Sequence, residues 1–225
     1  MGCCLEWSPL KRDEIDGIIA EKLLGIGNIR SYQTGAVFYW DGLNNNISML
    51  LEGKVESAIE SASGRKRTLY IHEGRSLLND AMLIGPYYTV SFTCLSDAKV
   101  VFCEHEAVKS AGYQDPDILY FLARHNLIKM QALSFYLATQ TFDDVETRIF
   151  FHLANLARTN GKKVDEDYYL IKEPLTHQLI ADIVGSTRVR VTQIMKELTN
   201  QNVLKKTGKY YIINLGDNCR KTYFE

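Results

Sequence analysis

A stretch of about 25 residues, 117–141, contains neither glycine nor proline. Its apolar residues recur at intervals of three and four, and Asp115 or Asp117 can cap the start of a helix. The pattern predicts one long helix over 115–141 with two neighbouring apolar stripes, which can pack on the same subunit and on a partner helix. A helix buried within one subunit is the alternative. The expected dimer contacts are Leu119, Leu122, Asn126, Leu133 and Tyr136.

The preceding region, 27–104, is a series of short β-branched, aromatic or apolar runs separated by glycine-containing turn segments. Strands at this spacing, with no helix pattern between them, indicate an antiparallel sandwich or barrel rather than an α/β sheet. The predicted strands are 37–40, 47–51, 55–59, 68–71, 89–94 and 100–103.

The region after the long helix is predicted to be helical at first. Asp143 or Asp144 can cap a second helix, which ends near Gly161, a residue suited to a left-handed helix cap. Residues 142–144 are therefore the expected hinge between two domains.

Residues 176–200 have the pattern of two short helices that meet at Gly185. Thr176 can cap the first helix, and Ser186 or Thr187 the second. The second helix has one apolar face and one polar face, the latter made of Arg188, Val189, Arg190, Thr192, Gln193 and Lys196. A predicted basic hairpin follows at 203–214. A winged helix-turn-helix is the prediction, and a helical hairpin with solvated arginines is the alternative.

Charge is distributed unevenly along the chain, although the net charge is only −1. Residues 1–141 carry 13 basic and 16 acidic residues, whereas 185–221 carry eight basic residues against Glu197 and Asp217. The basic segment fits a phosphate-contacting surface, and it also fits an ordinary solvated face.

Several segments, in this order, resemble the Crp/Fnr superfamily of transcription regulators: LLEGKV at 50–55, SG at 63–64, DPDI at 115–118 and IVGSTR at 183–188. The resemblance covers about 27–215. It implies an α+β fold with an N-terminal antiparallel β-roll, a cupin-like sensor, at 1–114. A long dimerisation helix at 115–141 and a winged helix-turn-helix domain at 142–225 would follow. The implied partners are double-stranded promoter DNA, RNA polymerase, a second copy of the chain and a small-molecule effector.

In this family the second helix of the motif enters the major groove, and the two subunits read a palindrome. The match places Arg188 where guanine is commonly read. Val189 replaces a frequent glutamate and can contact a thymine methyl group, whereas Gln193 suits adenine, so half-sites richer in A·T are expected. The residues expected to contact phosphates are Thr176, Gln178, Thr187, Arg190 and Lys196.

The signature of cyclic-nucleotide binding is absent from the matching positions. The Gly-Glu pair of the cyclic-nucleotide binders is Leu78-Asn79 here, their Arg-Ser pair is Tyr88-Thr89, and a common Thr-Ser pair is Leu133-Ser134. A cyclic nucleotide would leave its phosphate without a cation in a partly buried site. We therefore do not expect cyclic AMP to be the effector.

Lys129 occupies a position of the long helix where an apolar residue is expected. One interpretation is an ammonium that snorkels out of a helix interface. The other is a cation aimed into the β-roll. The chain is most similar to the chlorophenol-responsive regulators of halorespiration, which carry a matching lysine and nearby tyrosines, so a small aromatic or carboxylate effector is expected. The predicted pocket is Asn79, Tyr87, Tyr88, Lys129, Leu133 and Ser134.

Other chemistries receive less support from the sequence. The five cysteines form no CxxC pair, so neither a zinc site nor an iron–sulfur cluster is expected, and no cofactor is predicted. A haem ligand among His72, His105 and His125, or a redox switch at Cys3, Cys4 or Cys219, stays open. A thiol enzyme would need Cys103, Glu104 and His105 to face the same site, yet consecutive residues on a strand alternate in direction, which turns Glu104 away from the other two.

No run approaches the roughly 18–20 apolar residues of a membrane span, and no signal-peptide pattern opens the chain. Met1-Gly2 resembles a myristoylation start, but Glu6 stands where serine or threonine would be needed. The expected location is the cytoplasm.

Overall fold

The computed structural model describes residues 14–40, 46–79 and 89–216. The predictions for Tyr87, Tyr88, Cys3, Cys4 and Cys219 lie outside these residues. The described chain forms two compact units, 14–131 and 132–216, which are treated separately below.

The N-terminal unit begins with α1 (Glu14–Leu24) and continues with strands. These are β1 (Gly27–Tyr32), β2 (Val37–Trp40), β3 (Asn46–Glu52), β4 (Lys54–Glu60), β5 (Lys66–Glu73), β6 (Ser76–Leu77), β7 (Val90–Cys94) and β8 (Ala98–Glu104). Helices α2 (His105–Gln114) and α3 (Pro116–Phe142) follow. The strands form two four-stranded antiparallel sheets, ordered β1-β8-β3-β6 and β2-β7-β4-β5. The predicted antiparallel sandwich is confirmed, while α1 and α2 were not predicted.

The core of this unit lies between the two sheets. Leu50, Val55 and Val100 are fully buried there, as expected for apolar positions on the inner faces of a sandwich. Gly53 makes the turn from β3 to β4 with φ of 96°, and a Cβ on it would lie 2.2 Å from the carbonyl oxygen of Asp97. Only glycine fits this turn, because any side chain would be strained and would also collide with the adjacent backbone.

The long helix, α3, covers 116–142 and agrees with the predicted 115–141. Ile118, Phe121 and Leu122 belong to the core of the N-terminal unit. The expectation that Leu122 contacts a partner helix is thereby corrected. Its side chain is only 5% exposed within the subunit, so little of it is left for a partner helix.

The C-terminal unit contains the end of α3, then α4 (Val145–Asn160), β9 (Lys162–Lys163), β10 (Tyr168–Ile171), α5 (His177–Val184), α6 (Arg188–Asn200), β11 (Leu204–Thr207) and β12 (Tyr210–Asn214). Its strands form one antiparallel sheet ordered β11-β12-β10-β9. The predicted hairpin is present, and β9 and β10 extend it.

The caps of α4 partly match the sequence analysis. Asp144 caps its start, accepting a hydrogen bond from the main-chain N–H of Thr147 at 2.8 Å. The prediction of a left-handed cap at Gly161 is wrong, because this residue has φ of −73°. Glycine is needed there for another reason, since a Cβ would lie 2.2 Å from the carbonyl oxygen of Ala157. Among the described residues, no helix has the length and apolar character of a membrane span.

Candidate DNA-binding and effector sites

Two side-chain caps and one left-handed glycine define the ends of the two helices in the helix-turn-helix. Thr176 Oγ1 accepts from the main-chain N–H of Leu179 at 3.1 Å and caps α5. Gly185 ends α5 in the left-handed conformation, with φ of 68°. Thr187 Oγ1 accepts from the main-chain N–H of Arg190 at 3.2 Å and caps α6, so Thr187 rather than Ser186 is the cap. Short polar caps and one permissive residue thus set the turn.

Helix α6 has two contrasting faces. Val191, Ile194 and Leu198 are buried against the rest of the unit, at the spacing expected for one helix face. Val189 is 68% exposed, although it is apolar. The exposed side chains of α6 also include Arg188, Arg190, Thr192, Gln193 and Lys196, as expected from the sequence, and the acidic Glu197 is exposed beside them. The exposed face of α6 therefore offers cationic, amide and apolar groups to a ligand.

The residues expected to contact phosphates differ in their exposure and in the hydrogen bonds that their polar groups already make within the protein. Arg190 and Lys196 are exposed. Gln178 Nε2 donates to Asp182 Oδ1 at 2.7 Å, which ties its amide to its own helix. Thr176 and Thr187 use their oxygens as caps, and each hydroxyl keeps a proton to donate.

The wing is the hairpin of β11 and β12. Lys205, Lys206 and Lys209 are exposed on it, and Gly208 turns the chain with φ of 60°. The Lys209 ammonium lies 5.3 Å from the centre of the Tyr210 ring. The hairpin therefore carries a cluster of positive charge next to the helix-turn-helix in sequence.

A hydrogen-bonded anchor fixes the end of α5. The carbonyl oxygen of Val184 accepts from Arg148 Nε at 3.0 Å and from Gln140 Nε2 at 3.3 Å. The same arginine donates from a terminal nitrogen to the carbonyl oxygen of Asp143 at 2.8 Å. Because the last carbonyls of a helix lack partners within it, these side chains satisfy a group that would otherwise need water. The anchor joins the end of α3 and the carbonyl oxygen of Asp143 to the helix-turn-helix.

The N-terminal unit contains a buried polar cluster around His72, which is 2% exposed. Its Nε2 is hydrogen-bonded to Ser57 Oγ at 3.0 Å and its Nδ1 to Ser76 Oγ at 3.0 Å. Burial, and then the nearby Lys129 and His125, hold the pKa of His72 well below its usual value. The imidazole is therefore neutral at pH 7, with both ring nitrogens engaged.

Lys129 lies next to this cluster and is 6% exposed. Its ammonium lies 5.6 Å from the centre of the Tyr70 ring, and the Tyr70 hydroxyl donates to the main-chain carbonyl of Lys129 at 3.3 Å. A lysine in this position does not snorkel into water. Tyr70 and His72 lie two residues apart on β5 and hence share one face of the sheet. Sequence reasoning missed Tyr70, although this spacing relative to His72 could have indicated it.

Asn79 is also buried, but in a different set of contacts. Its Oδ1 accepts from the main-chain N–H of Ser48 at 2.5 Å and from Ser48 Oγ at 2.8 Å, while its Nδ2 donates to the carbonyl oxygen of Asn46 at 2.8 Å. It lines a cavity of about 100 Å³ together with aromatic residues such as Phe38 and Phe92. The other expected pocket residues, Leu133 and Ser134, are exposed on α3 in the C-terminal unit.

The candidate thiol site is inert in this structure. Cys103 lies at the end of β8, whereas His105 already begins α2, so the two do not share one strand as expected. The Cys103 thiol donates to the carbonyl oxygen of Leu23 at 3.3 Å, and burial raises its pKa to about 11. Such a thiol is protonated at neutral pH and is a poor nucleophile. The described residues also contain no group of three or more side chains suited to a metal ion.

Sequence comparison places this architecture among known proteins. The Crp-like helix-turn-helix domain matches residues 147–216. The cAMP-activated global transcriptional regulator CRP of Salmonella typhimurium is 34% identical over 170 residues, which are 73% of this chain and 78% of that protein. The chain belongs to the Crp/Fnr family of transcription regulators. A CRP-like cAMP-activated global transcriptional regulator of Mycobacterium tuberculosis is 23% identical over 171 residues, 76% of each chain.

Solved structures of Crp/Fnr proteins share the fold. CprK in complex with OCPA aligns with a TM-score of 0.71 at 23% identity, covering 88% of this chain and 92% of CprK. The c-di-GMP responsive global regulator CLP of Xanthomonas campestris aligns with a TM-score of 0.77 at 18% identity, covering 88% of this chain and 99% of CLP. The predicted α+β architecture of a β-roll, a long helix and a helix-turn-helix is confirmed.

Proposed function

We propose that this Crp/Fnr regulator binds a palindromic promoter site as a homodimer when a small aromatic or carboxylate ligand occupies its β-roll. The observation that carries the proposal is the exposed face of α6. Val189 is an apolar residue between two arginines in sequence, and it is 68% exposed, so most of its surface is open to a partner. Promoter DNA, RNA polymerase and a second copy of the chain are the proposed partners, and the cytoplasm is the proposed compartment.

The proposed base contacts are made by Arg188, Val189 and Gln193. A guanidinium can donate two hydrogen bonds to guanine O6 and N7, a valine can contact a thymine methyl group, and a glutamine amide can bond adenine N6 and N7. The exposed Arg190 and Lys196 supply charge for phosphates, as do the hydroxyls of Thr176 and Thr187. Gln178 is a weaker candidate, because its amide is already bonded to Asp182.

An exposed apolar stripe on α3 supports the proposed dimer. The stripe consists of Leu119, Leu127, Met130, Leu133 and Leu137, all exposed and spaced at three, four, seven or eight residues. Leucine and methionine in a continuous stripe favour packing against a second helix, because this removes apolar surface from water. Asn126 and Tyr136, both half-buried, flank the stripe.

The buried ammonium of Lys129 supports an acidic effector. A cation removed from water interacts strongly with an anion, because solvent screens the pair only weakly. The Tyr70 ring and hydroxyl border the same position and provide an aromatic surface with a polar edge. A phenolate or aromatic carboxylate matches both features. Asn79 is kept as a proposed pocket residue, and it would first have to exchange its bonds to Ser48 and Asn46.

The second candidate effector is a cyclic nucleotide. The Salmonella typhimurium and Mycobacterium tuberculosis relatives are cAMP-activated, which favours it. Against it, Leu78-Asn79 stands in the position of the ribose-binding pair, and the Asn79 amide is bonded within the protein. The phosphate-binding arginine is replaced by Tyr88.

A thermal-shift screen of the full chain with chlorinated phenols, aromatic carboxylates and cyclic AMP tests the effector class. We expect an acidic aromatic compound to raise the Tm of wild type and to lose this effect in Lys129→Met, a change of similar length without charge. Lys109→Met, at an exposed position of α2, is the control for loss of a lysine charge elsewhere in the same unit. Stabilisation by cyclic AMP alone would contradict the aromatic-acid proposal.

Selection of duplexes from a random pool tests DNA binding. Recovery of non-palindromic sequences, bound by a monomer of the protein, would contradict the proposed palindromic site.

A further inference from the structure

A chain of hydrogen bonds connects the wing to the recognition helix, α6, through one imidazole. The Tyr211 hydroxyl on β12 lies 3.2 Å from His177 Nε2. His177 Nδ1 lies 2.8 Å from Thr192 Oγ1 on α6, and this hydroxyl donates to the carbonyl oxygen of Arg188 at 2.8 Å. Four residues from α5, α6 and β12 are thus joined in series, ending at the backbone of the proposed guanine-reading residue.

The chemistry of these groups fixes the direction of the chain. A carbonyl oxygen can only accept, so the single proton of Thr192 points at Arg188, and Thr192 Oγ1 must accept from His177 Nδ1–H. In a neutral imidazole, Nε2 is then an acceptor and receives the proton of Tyr211. Burial raises the pKa of Tyr211, which keeps its phenol protonated as this role requires.

We propose that His177 is a positioning residue for DNA binding, which as a neutral Nδ1–H imidazole holds the first turn of the recognition helix to the wing. This inference rests on the proposed DNA-binding function. In this role His177 neither reads bases nor supplies charge. It sets the placement of Arg188 relative to the lysines of β11.

The surrounding charges favour the neutral form. Burial, and then Lys206 on β11 and Arg188 on α6, lower the pKa of His177. An imidazolium would have no lone pair on Nε2, so the Tyr211 proton would lose its acceptor. Tyr211 is only 6% exposed, so water cannot readily replace that acceptor. Protonation therefore disrupts the chain at the Tyr211 end.

The tautomer can be measured without DNA. Long-range ¹⁵N–¹H NMR of the full-length protein at pH 7.5, with His177 assigned by its loss in His177→Asn, distinguishes a protonated Nδ1 from a protonated Nε2. We expect the Nδ1–H neutral form. An Nε2–H tautomer, or an imidazolium at this pH, would overturn the proposal whether or not the protein binds DNA.

The functional consequence is measured with a duplex selected by the wild-type protein, at constant salt and from pH 5 to 8. Asparagine can place an amide near the Nδ1 position but cannot reach Tyr211. We expect His177→Asn and Tyr211→Phe each to weaken binding on the order of threefold to tenfold at pH 7.5. The double variant should bind like either single one, because both changes remove the same hydrogen bond. Tyr210→Phe, on the neighbouring position of β12, is the control and should bind like wild type.

The pH profile distinguishes a positioning role of neutral His177 from a direct contact of protonated His177 with a DNA phosphate. Wild type should lose affinity as pH falls through the pKa of His177, and this step should be missing in His177→Asn. Tighter wild-type binding at low pH, lost in His177→Asn, would make His177 a phosphate contact and overturn the proposal, as would unchanged affinity of the variant at all pH values. If wild type selects no duplex at all, the proposed function itself fails, while the NMR result still decides the tautomer.

Discussion

Arg148 Nε donates to the carbonyl oxygen of Val184 at 3.0 Å, so the first turns of α4 are fastened to the last residue of α5. Gln140 Nε2, at the end of α3, donates to the same oxygen at 3.3 Å. The turn of the helix-turn-helix begins immediately afterwards at Gly185. A displacement of Gln140 or Arg148 would therefore reach this turn through the carbonyl oxygen to which both side chains donate.

Replacing Arg148 with methionine should destabilise the C-terminal unit by about 1–3 kcal/mol, because two backbone carbonyls lose a half-buried donor. Urea denaturation followed by circular dichroism measures the change. Lys162→Met, at an exposed position of β9, is the control and should stay within about 0.5 kcal/mol of wild type. Equal stability of the Arg148 and Lys162 variants would show that water replaces the anchor at no cost.

Replacing Arg188 with alanine should weaken binding to the selected duplex by about 1–3 kcal/mol and relax the preference at one base pair. The reason is that a bidentate contact to guanine is lost, whereas the other base contacts remain. Binding to a panel of duplexes with single substitutions provides the measurement. Arg190→Ala should weaken all duplexes by a similar factor, and the same uniform loss in Arg188→Ala would contradict base reading.

The sequence predicts most of this fold because its main elements leave local patterns. The absence of glycine and proline over 117–141 marks α3, and the apolar period of 191–198 marks the buried face of α6. The two-residue strand Lys162–Lys163 has no such pattern, because its pairing with β10 is set by the tertiary fold.

The candidate sites were harder to predict, because they depend on contacts between distant positions. Tyr70 and Lys129 lie 59 residues apart, and His177 and Tyr211 lie 34 apart. Lys129 was singled out because a charged residue interrupts an apolar stripe. Tyr70 on a strand and His177 at a helix start are ordinary in their local context, so only the packing of the elements gives them a partner.

Acid should destabilise the N-terminal unit through His72. Its pKa is lowered in the folded state, so the unfolded chain binds more protons below its ordinary pKa of about 6.5. The contribution of the neutral imidazole is complete above this pH and is lost as pH falls toward the folded-state pKa. Urea denaturation of wild type and His72→Gln at pH 5 to 8 measures it. The variant should lose less stability on acidification, and parallel pH profiles would rule out His72 as the source.

The exposed stripe of α3 should hold the dimer together. Met130→Glu places a charge in the middle of the stripe, where a partner helix would bury it, and burial of an unpaired carboxylate is strongly unfavourable. Sedimentation velocity of the full chain should show a wild-type dimer and a Met130→Glu monomer. Tyr113→Glu, which changes an exposed aromatic residue on α2, should leave the dimer intact. Because the two half-sites would lie about 34–36 Å apart, the monomeric variant should also lose most of its affinity for a palindrome while keeping weak binding to one half-site. A Met130→Glu protein that stays dimeric would move the interface away from α3.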